Sequence, residues 1–243
     1  NFLAHTLLAG ADEADRIGGL LGDFIKGPLP AGLPPALASG VALHRAIDGY
    51  ADRHPAFLAS RARISSRRRR VAGVLVDLFY DHLLARDWPG EPAFRTKSSS
   101  TATETGDAHP PLAVYTAAIY AALPAYLHVL PAPAWVLCAV VDGMGGHAGG
   151  ECAAGVAALP APARAVAERM CREDWLTHYR NPAAVARAID QMSIHRLKRA
   201  NPLAGGFEEF LADPDGFATD FRAFLPDALA FAAQWRERRS KAS

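Results

Sequence analysis

The sequence VAGVLVDLFYDHLLARDW, residues 71–88, decides how this chain is expected to fold. It is apolar at almost every position, which is typical of a helix that is buried on all sides. Asp77, Asp81 and His82 nevertheless lie in its middle, and a buried carboxylate is costly unless it is paired, hydrogen-bonded or bound to a metal. Because Asp77 and Asp81 are four residues apart, they share one helix face, where a cation would relieve their repulsion. This stretch therefore predicts a metal-dependent site.

The composition of the chain is that of an ordinary globular protein. With 243 residues, of which 50% are hydrophobic and 21% are charged, the chain is long enough to bury a full core. Its three cysteines have no CxxC spacing, which favours a reducing compartment over a disulfide framework. The first residues lack the basic start of a secretory signal, and no apolar run reaches the length of a membrane span. We therefore expect a cytoplasmic protein without a membrane segment.

Helical patterning recurs between breaks rich in proline and glycine, and no alternating strand pattern of useful length appears. The predicted fold is a single all-α, multi-helix domain covering residues 1–243. Residues 95–111 are rich in serine and threonine, which predicts a flexible loop. Residues 131–162 form an atypical, insertion-like segment beside a repeated LPAPA sequence. For its His147 and Cys152, a glycine-rich flexible turn is favoured over a metal site.

Three predicted helices carry possible metal ligands: Asp23 on the first, His44 and Asp48 on the second, and Asp77, Asp81 and His82 on the third. Side chains four residues apart project from one face, and the core of a helix bundle is the usual place for such inward-facing ligands. Oxygen-rich ligands with one or two imidazoles suit Mn²⁺, Mg²⁺ or Fe²⁺ better than a thiolate-type zinc site. A structural explanation stays open, since Asp48 could instead pair with Arg45 or Arg53. Asp77 is the strongest candidate, because its neighbours leave it no polar face.

Glycines are unusually frequent on the first predicted helix, where Gly18, Gly19 and Gly22 precede Asp23. Glycine weakens a helix, so its repeated use needs a reason. Two explanations stay open. The helix could pack closely against a neighbour, or its backbone could approach a ligand beside Asp23.

Several separate motifs resemble one known family. The motifs NFLAHTLLA, GDFIKG, LHRAIDGYADRHP, VDLFYDHLLARDW and MCREDWLTHY occur in the order found in the acyl carrier protein phosphodiesterases. This is a helical family regarded as distantly related to the HD-type metal phosphohydrolases. The resemblance covers residues 1 to about 94, about 112–130 and 163–232, and it implies an HD-like helical bundle.

The resemblance implies a Mn²⁺-dependent hydrolase that removes 4′-phosphopantetheine from holo-acyl carrier protein, leaving the apo carrier protein. In this interpretation Asp23, His44 and Asp77 belong to the catalytic centre, and Lys26 and Arg45 neutralise phosphate charge. One feature departs from the HD-type enzymes, which carry a consecutive His-Asp pair. Here the order is Asp81-His82, so ligand assignments cannot be transferred one for one.

A cluster of arginines, Arg61, Arg63, Arg67, Arg68, Arg69 and Arg70, lies just before residues 71–88. Acyl carrier proteins are small and acidic, so this basic surface would steer such a partner and set its orientation. The alternative is a solvated basic loop or nonspecific nucleic-acid affinity. No helix-turn-helix signature or aromatic interleaving supports a nucleic-acid partner.

Two other functions remain open from the sequence. An HD-like nucleotide phosphohydrolase, for example one acting on (p)ppGpp, would use the same metal chemistry on a smaller substrate. A non-catalytic helical module would bind the carrier protein through the basic cluster and would need no metal.

Overall fold

A computed structural model describes residues 2–25, 27–29, 32–89, 109–127, 169–170, 172–196 and 202–242. Within these ranges the secondary structure is helical and contains no strand, which confirms the all-α prediction. Most of the predicted loop at 95–111, all of the segment 131–162, and Lys26 lie outside the described residues. The HD-like label and the single-domain assignment stay predictions.

The helices are α1 (Leu3–Leu8), α2 (Glu13–Leu21), α3 (Pro35–Ala51), α4 (Pro55–Arg63), a 3-10 helix (Ser66–Val71), α5 (Ala72–Arg86), α6 (Leu112–Leu127), α7 (Trp175–His178), α8 (Pro182–Arg196), α9 (Phe207–Ala212) and α10 (Pro214–Ala242). The predicted central helix is present as α5. The first predicted helix is shorter than expected: it ends at Leu21, and Asp23 lies in the turn that follows. Its first turn is capped by Asp12, whose side chain accepts a hydrogen bond from the Asp15 N–H at 2.9 Å.

α5 lies at the centre of the packing, against α1, α4, α7, α8 and α10. Its Phe79 ring is fully buried among Phe207, Phe210 and Phe217, whose ring centroids lie 5.1–6.1 Å away. Burial of apolar surface over most of α5 supplies the main driving force for folding in this region. The apolar pattern of residues 71–88 is thereby explained, and the polar residues of α5 must find partners inside the protein.

α2 and α3 approach each other through glycine. A Cβ atom added to Gly18 would lie 2.6 Å from Gly40 Cα, and one added to Gly40 would lie 2.7 Å from the Ala14 carbonyl oxygen. A Cβ on Gly19 would lie 2.9 Å from the His5 carbonyl oxygen, so α1 also packs closely on α2. For Gly18 and Gly19 the explanation is therefore close helix packing.

Two arginines of α10 tie this helix to α1 and α2. Arg239 on α10 makes ion pairs with both carboxylate oxygens of Asp15 on α2, at 2.8 and 3.0 Å. Arg236, one turn earlier, donates to the carbonyl oxygen of Leu8 at the end of α1. These contacts hold the C-terminal helix against the elements that carry the site. None of the described helices is long and apolar enough to cross a membrane.

The glycine contact predicts a large difference between two Gly→Ala variants. Gly18→Ala should destabilise the protein by about 1–3 kcal/mol, because the added methyl meets backbone atoms that cannot move aside. Gly73→Ala, in α5, has no atom within 4 Å of the added Cβ and should leave stability unchanged or raise it by up to ~1 kcal/mol. Urea unfolding measures both free energies. Equal stability of the two variants would contradict the packing explanation.

Candidate functional site

His5, His44 and Asp48 converge at the junction of α1 and α3. Their ligand atoms all lie within 4.8 Å of one another. The Asp48 carboxylate lies between the two imidazoles, with Oδ1 3.1 Å from His5 Nε2 and Oδ2 3.3 Å from His44 Nε2. The imidazoles stack with ring centroids 3.9 Å apart. Both histidines are buried, whereas the Asp48 side chain is 52% exposed, so the cluster reaches solvent through Asp48.

The orientation of His44 is set by α2. His44 Nδ1 lies 2.8 Å from the Gly19 carbonyl oxygen, which can only accept, so Nδ1 carries the proton and donates it. His44 Nε2 then faces two carboxylates. Asp48 is the nearer, and the Oδ1 atom of Asp23 lies 3.7 Å from Nε2. A Cβ on Gly22 would collide with the His44 ring. Gly22 is therefore explained by the space that this imidazole needs.

The charges of the cluster are strongly coupled. Burial lowers the pKa of His44, but hydrogen bonds to Asp23 and Asp48 outweigh burial and raise the pKa to about 9. Burial and the neighbouring His44 charge lower the pKa of His5 to about 4. Burial opposes ionisation of Asp48 and Asp23, yet the imidazoles hold the pKa of both carboxyls well below the usual range. At neutral pH the cluster thus contains a charged His44 and a neutral His5.

Asp77 lies on α5, half-buried, within electrostatic reach of this cluster. Burial raises the pKa of its carboxyl to about 6, and the charges of Asp48, Asp81 and Asp23 act in the same direction. The structure therefore brings the carboxylates of Asp23, Asp48 and Asp77, predicted from separate helices, into one electrostatic environment.

The donor set fits a divalent cation. It combines two imidazoles with the Asp48 carboxylate, and a cation there would also offset the repulsion among the charges of Asp48, Asp23 and Asp77. In addition, His5 Nδ1 is buried and has no hydrogen-bond partner among the residues that the structure describes. His5, His44 and Asp48 could therefore hold the ion, with Asp23 and Asp77 close by.

Asp81, one turn after Asp77, is fully buried and accepts three backbone hydrogen bonds. Its Oδ2 accepts from the N–H groups of Phe2 and Leu3 at 2.7 and 3.2 Å, and its Oδ1 accepts from the Ala4 N–H at 2.8 Å. Burial raises the pKa of this carboxyl, and the three donors oppose that shift. Asp81 thus satisfies the start of α1, whose own residues supply no side-chain cap.

His82 points to another part of the molecule. Its Nδ1 lies 2.7 Å from the carbonyl oxygen of Tyr179, just after α7, and its ring packs edge-on against Phe207 and Phe210. Burial lowers the pKa of this imidazole, which favours a neutral ring that donates from Nδ1. In the described structure, Asp81 and His82 each hold a neighbouring segment against α5.

Arg45, predicted to meet phosphate, holds the loop after Asp23. Its two guanidinium nitrogens donate to the carbonyl oxygens of Gly27 and Ile25, both at 2.8 Å. The possible pairing of Arg45 with Asp48 is not what the structure shows, because Asp48 contacts the two imidazoles instead.

The arginine cluster divides into paired and unpaired members. Arg68 is buried, with Glu209 at 2.8 Å and the Ala204 carbonyl oxygen at 2.7 Å. Ion pairs also link Arg61 to Asp52, Arg63 to Asp213 and Asp220, and Arg67 to Glu208. Arg69 and Arg70 are exposed, and the described part of the chain places no carboxylate within ion-pair distance of them. Of the six arginines in this cluster, only Arg69 and Arg70 have no ion-pair partner among the described residues.

His5 is the site residue that the sequence predictions missed. It lies in a short apolar segment, and the argument applied to Asp77, a polar side chain without a polar face, would have selected it as well. Its partners His44 and Asp48 are far away in the sequence, so spacing alone could not connect them.

Comparison with known proteins agrees with the motifs. A sequence model of the family described as acyl carrier protein phosphodiesterase matches residues 1–140 and 149–228. Proteins of that name from Serratia proteamaculans, Yersinia pestis and Escherichia coli O139:H28 are 41%, 38% and 40% identical to this chain over 88 residues. Each alignment covers 36% of this chain and 46% of the relative, so the chain spans about half the length of these relatives. No solved structure matches the chain.

The family match extends over most of the residues and includes every helix that contributes to the cluster. The chain therefore belongs to the acyl carrier protein phosphodiesterase family.

Proposed function

We propose that this protein is a metal-dependent phosphodiester hydrolase that removes 4′-phosphopantetheine from holo-acyl carrier protein. The observation that carries the proposal is the convergence of His5, His44 and Asp48 within 4.8 Å of one another, in a chain of this family. Water adds to the phosphorus atom, and the bond from phosphorus to the carrier's serine oxygen breaks. The products are the free serine hydroxyl of the apo carrier protein and 4′-phosphopantetheine as a phosphate monoester.

Mn²⁺ is the proposed ion, with Mg²⁺ or Fe²⁺ as alternatives, because carboxylate oxygens and imidazoles suit these metals. His5, His44 and Asp48 would hold it. When bound, a divalent cation supplies Lewis acidity towards the phosphoryl group and compensates charge on it. Gly19 contributes through its carbonyl, which accepts from His44 Nδ1 and keeps Nε2 directed at the site.

Asp77 is proposed as the proton acceptor for the attacking water. A base works best when its pKa lies near the working pH, and in the metal-free protein burial and neighbouring carboxylates raise the pKa of Asp77 to about 6. At neutral pH the carboxyl is then mostly ionised and able to take a proton. Asp23, beside His44 Nε2, would keep that imidazole in place, and Arg45 would fix the loop that carries Asp23.

The direct test is incubation of the pure protein and Mn²⁺ with holo-carrier protein, followed by mass spectrometry of the carrier. We expect the carrier to lose the mass of the phosphopantetheine group. The Asp77→Asn variant should keep its helical circular dichroism and lose at least about 10²-fold in turnover, which is the usual scale for loss of a general base. A protein that binds the carrier but does not cleave it even with Mn²⁺ present would instead indicate a non-catalytic module. Turnover of Asp77→Asn within a few-fold of wild type would show that Asp77 is structural.

Mn²⁺ binding is expected to strengthen as pH rises. In the metal-free protein the pKa of His44 is about 9, so its Nε2 is protonated at neutral pH and cannot bind a cation. The pKa of His5 is about 4, so His5 is already neutral. Binding should therefore release about one proton, and affinity should rise about tenfold per pH unit between about pH 7 and 8.5. Titration calorimetry in two buffers of different ionisation enthalpy counts the released protons. An affinity that is constant over this range would exclude His44 as a ligand.

Carrier protein is proposed to dock at Arg69 and Arg70, which directly precede α5, the helix that carries Asp77. Arg69→Glu combined with Arg70→Glu should raise KM for carrier protein several-fold and leave kcat nearly unchanged, because uniform binding is lost. Added salt should weaken the wild type and affect this variant much less. Both proteins should cleave bis-p-nitrophenyl phosphate, if it is a substrate, at equal rates.

A matched control reverses two exposed charges elsewhere, Arg238→Glu with Lys241→Glu near the end of α10. This control changes net charge by the same amount and should leave KM for carrier protein near its wild-type value. An equal rise of KM in both double variants would show that net charge acts, and that Arg69 and Arg70 form no docking site.

A further inference from the structure

We propose that Asp81 is a positioning residue for metal binding: by holding the first turn of α1, it directs His5 towards His44 and Asp48, and it is not itself a ligand. This inference rests on the metal site of the proposed function. It concerns a residue whose sequence position, four residues after Asp77 on the same helix face, predicts a ligand instead.

The geometry of the Asp81 carboxylate leaves neither oxygen free for a metal. Both oxygens of Asp81 are engaged by backbone donors, Oδ2 by Phe2 and Leu3 and Oδ1 by Ala4. The side chain is fully buried. To bind a metal, Asp81 would have to give up at least one of these charge-assisted hydrogen bonds and leave an N–H group of α1 unsatisfied in the interior.

Helix α1 is too short to be stable on its own. It has six residues, whereas isolated helices shorter than about 12–15 residues are marginal in water. Its N-cap residue, Phe2, makes no side-chain capping bond, so the Asp81 carboxylate, 77–79 residues away in the sequence, replaces a local cap. At the other end, Arg236 donates to the Leu8 carbonyl oxygen. Helix α1 is thus held at both ends by side chains of other helices.

Helix α1 carries one member of the cluster, His5. His5 directly follows Ala4, whose N–H donates to Asp81 Oδ1. The Nε2 atom of His5 lies 3.1 Å from the Asp48 carboxylate. Successive helix residues are rotated by about 100°, so a change in the first turn would turn the imidazole away from Asp48 and His44. Close packing against Gly19 sets how near α1 lies to α2, but it does not set the rotation of the first turn about the helix axis. The hydrogen bonds to Asp81 set that rotation.

The decisive experiment is a double-mutant cycle on Mn²⁺ affinity, using Asp81→Asn, His5→Gln and the combination. Mn²⁺ binding is followed by the electron paramagnetic resonance signal of the free ion. Asp81→Asn alone should weaken binding by about 10–100-fold, the usual effect of losing a residue that orients a ligand. In the His5→Gln background the same substitution should weaken binding no further, because Asp81 acts through His5. Equal losses in both backgrounds would overturn the proposal and indicate that Asp81 is a direct ligand. Unchanged affinity of Asp81→Asn would also overturn the proposal, because Asp81 would then have no effect on metal binding.

A second measurement needs no metal. In the metal-free protein, Asp81→Asn should accelerate amide hydrogen exchange in residues 2–8 and leave the central turns of α3 and α5 protected. If Asp81→Asn proves too unstable to purify, Asp81→Glu keeps the charge, displaces the carboxylate by one methylene and enters the same cycle.

Asp220→Asn serves as the matched control, because Asp220 is another buried carboxylate that joins distant helices, through Ser60 and Arg63. It should lower stability without changing Mn²⁺ affinity; a loss equal to that of Asp81→Asn would overturn the specific role of Asp81. A wild-type protein that binds no Mn²⁺ would overturn the proposed function. In that case faster exchange confined to α1 would still support the hold of Asp81 on α1, and unchanged exchange would refute it.

Discussion

The burial of one carboxylate, Asp81, is the interaction on which the site region depends. An ionised group inside an apolar helix needs several donors, and the start of a helix has N–H groups that need acceptors. α1 and α5 solve both problems with one contact, in which three N–H groups converge on Asp81. The contact brings a short segment from the beginning of the chain onto the central helix, and with it His5. Without this pairing the buried carboxylate would lack donors, and the first N–H groups of α1 would lack acceptors.

Small residues then determine how closely the other elements approach. Gly18 and Gly40 allow the backbones of α2 and α3 to touch, and Gly22 leaves room for the His44 ring. Close backbone approach is what permits the Gly19 carbonyl to accept from His44 Nδ1. The glycines cost helix stability, and the structure uses them where a side chain would separate the helices that carry the cluster. The same glycines therefore determine both how closely these helices pack and where the His44 side chain lies.

Helix periodicity explains how far the sequence alone could lead. The i, i+4 spacing of His44 and Asp48 correctly predicts one shared face of α3, and the apolar pattern of residues 71–88 correctly predicts the central buried helix. Periodicity assigns residues to faces but does not say which element each face meets. For this reason the sequence could not show that Asp81 meets α1, or that Arg68 is neutralised by Glu209, 141 residues away. Such pairs depend on tertiary register, which local spacing does not contain.

The neighbouring pair Asp81 and His82 illustrates the same limit. Adjacent helix residues point about 100° apart, so Asp81 and His82 can contact different segments of the protein. Here Asp81 holds α1 on one side of α5, and His82 holds the segment after α7 on another, through the Tyr179 carbonyl oxygen. Reversing their order would exchange a carboxylate that accepts from a helix start with an imidazole that donates to a carbonyl. An imidazole would then face the N–H groups of α1, and a carboxylate would face the Tyr179 carbonyl oxygen, so each partner would be of the wrong hydrogen-bonding type. The Asp-His order is therefore required by the two segments that α5 holds.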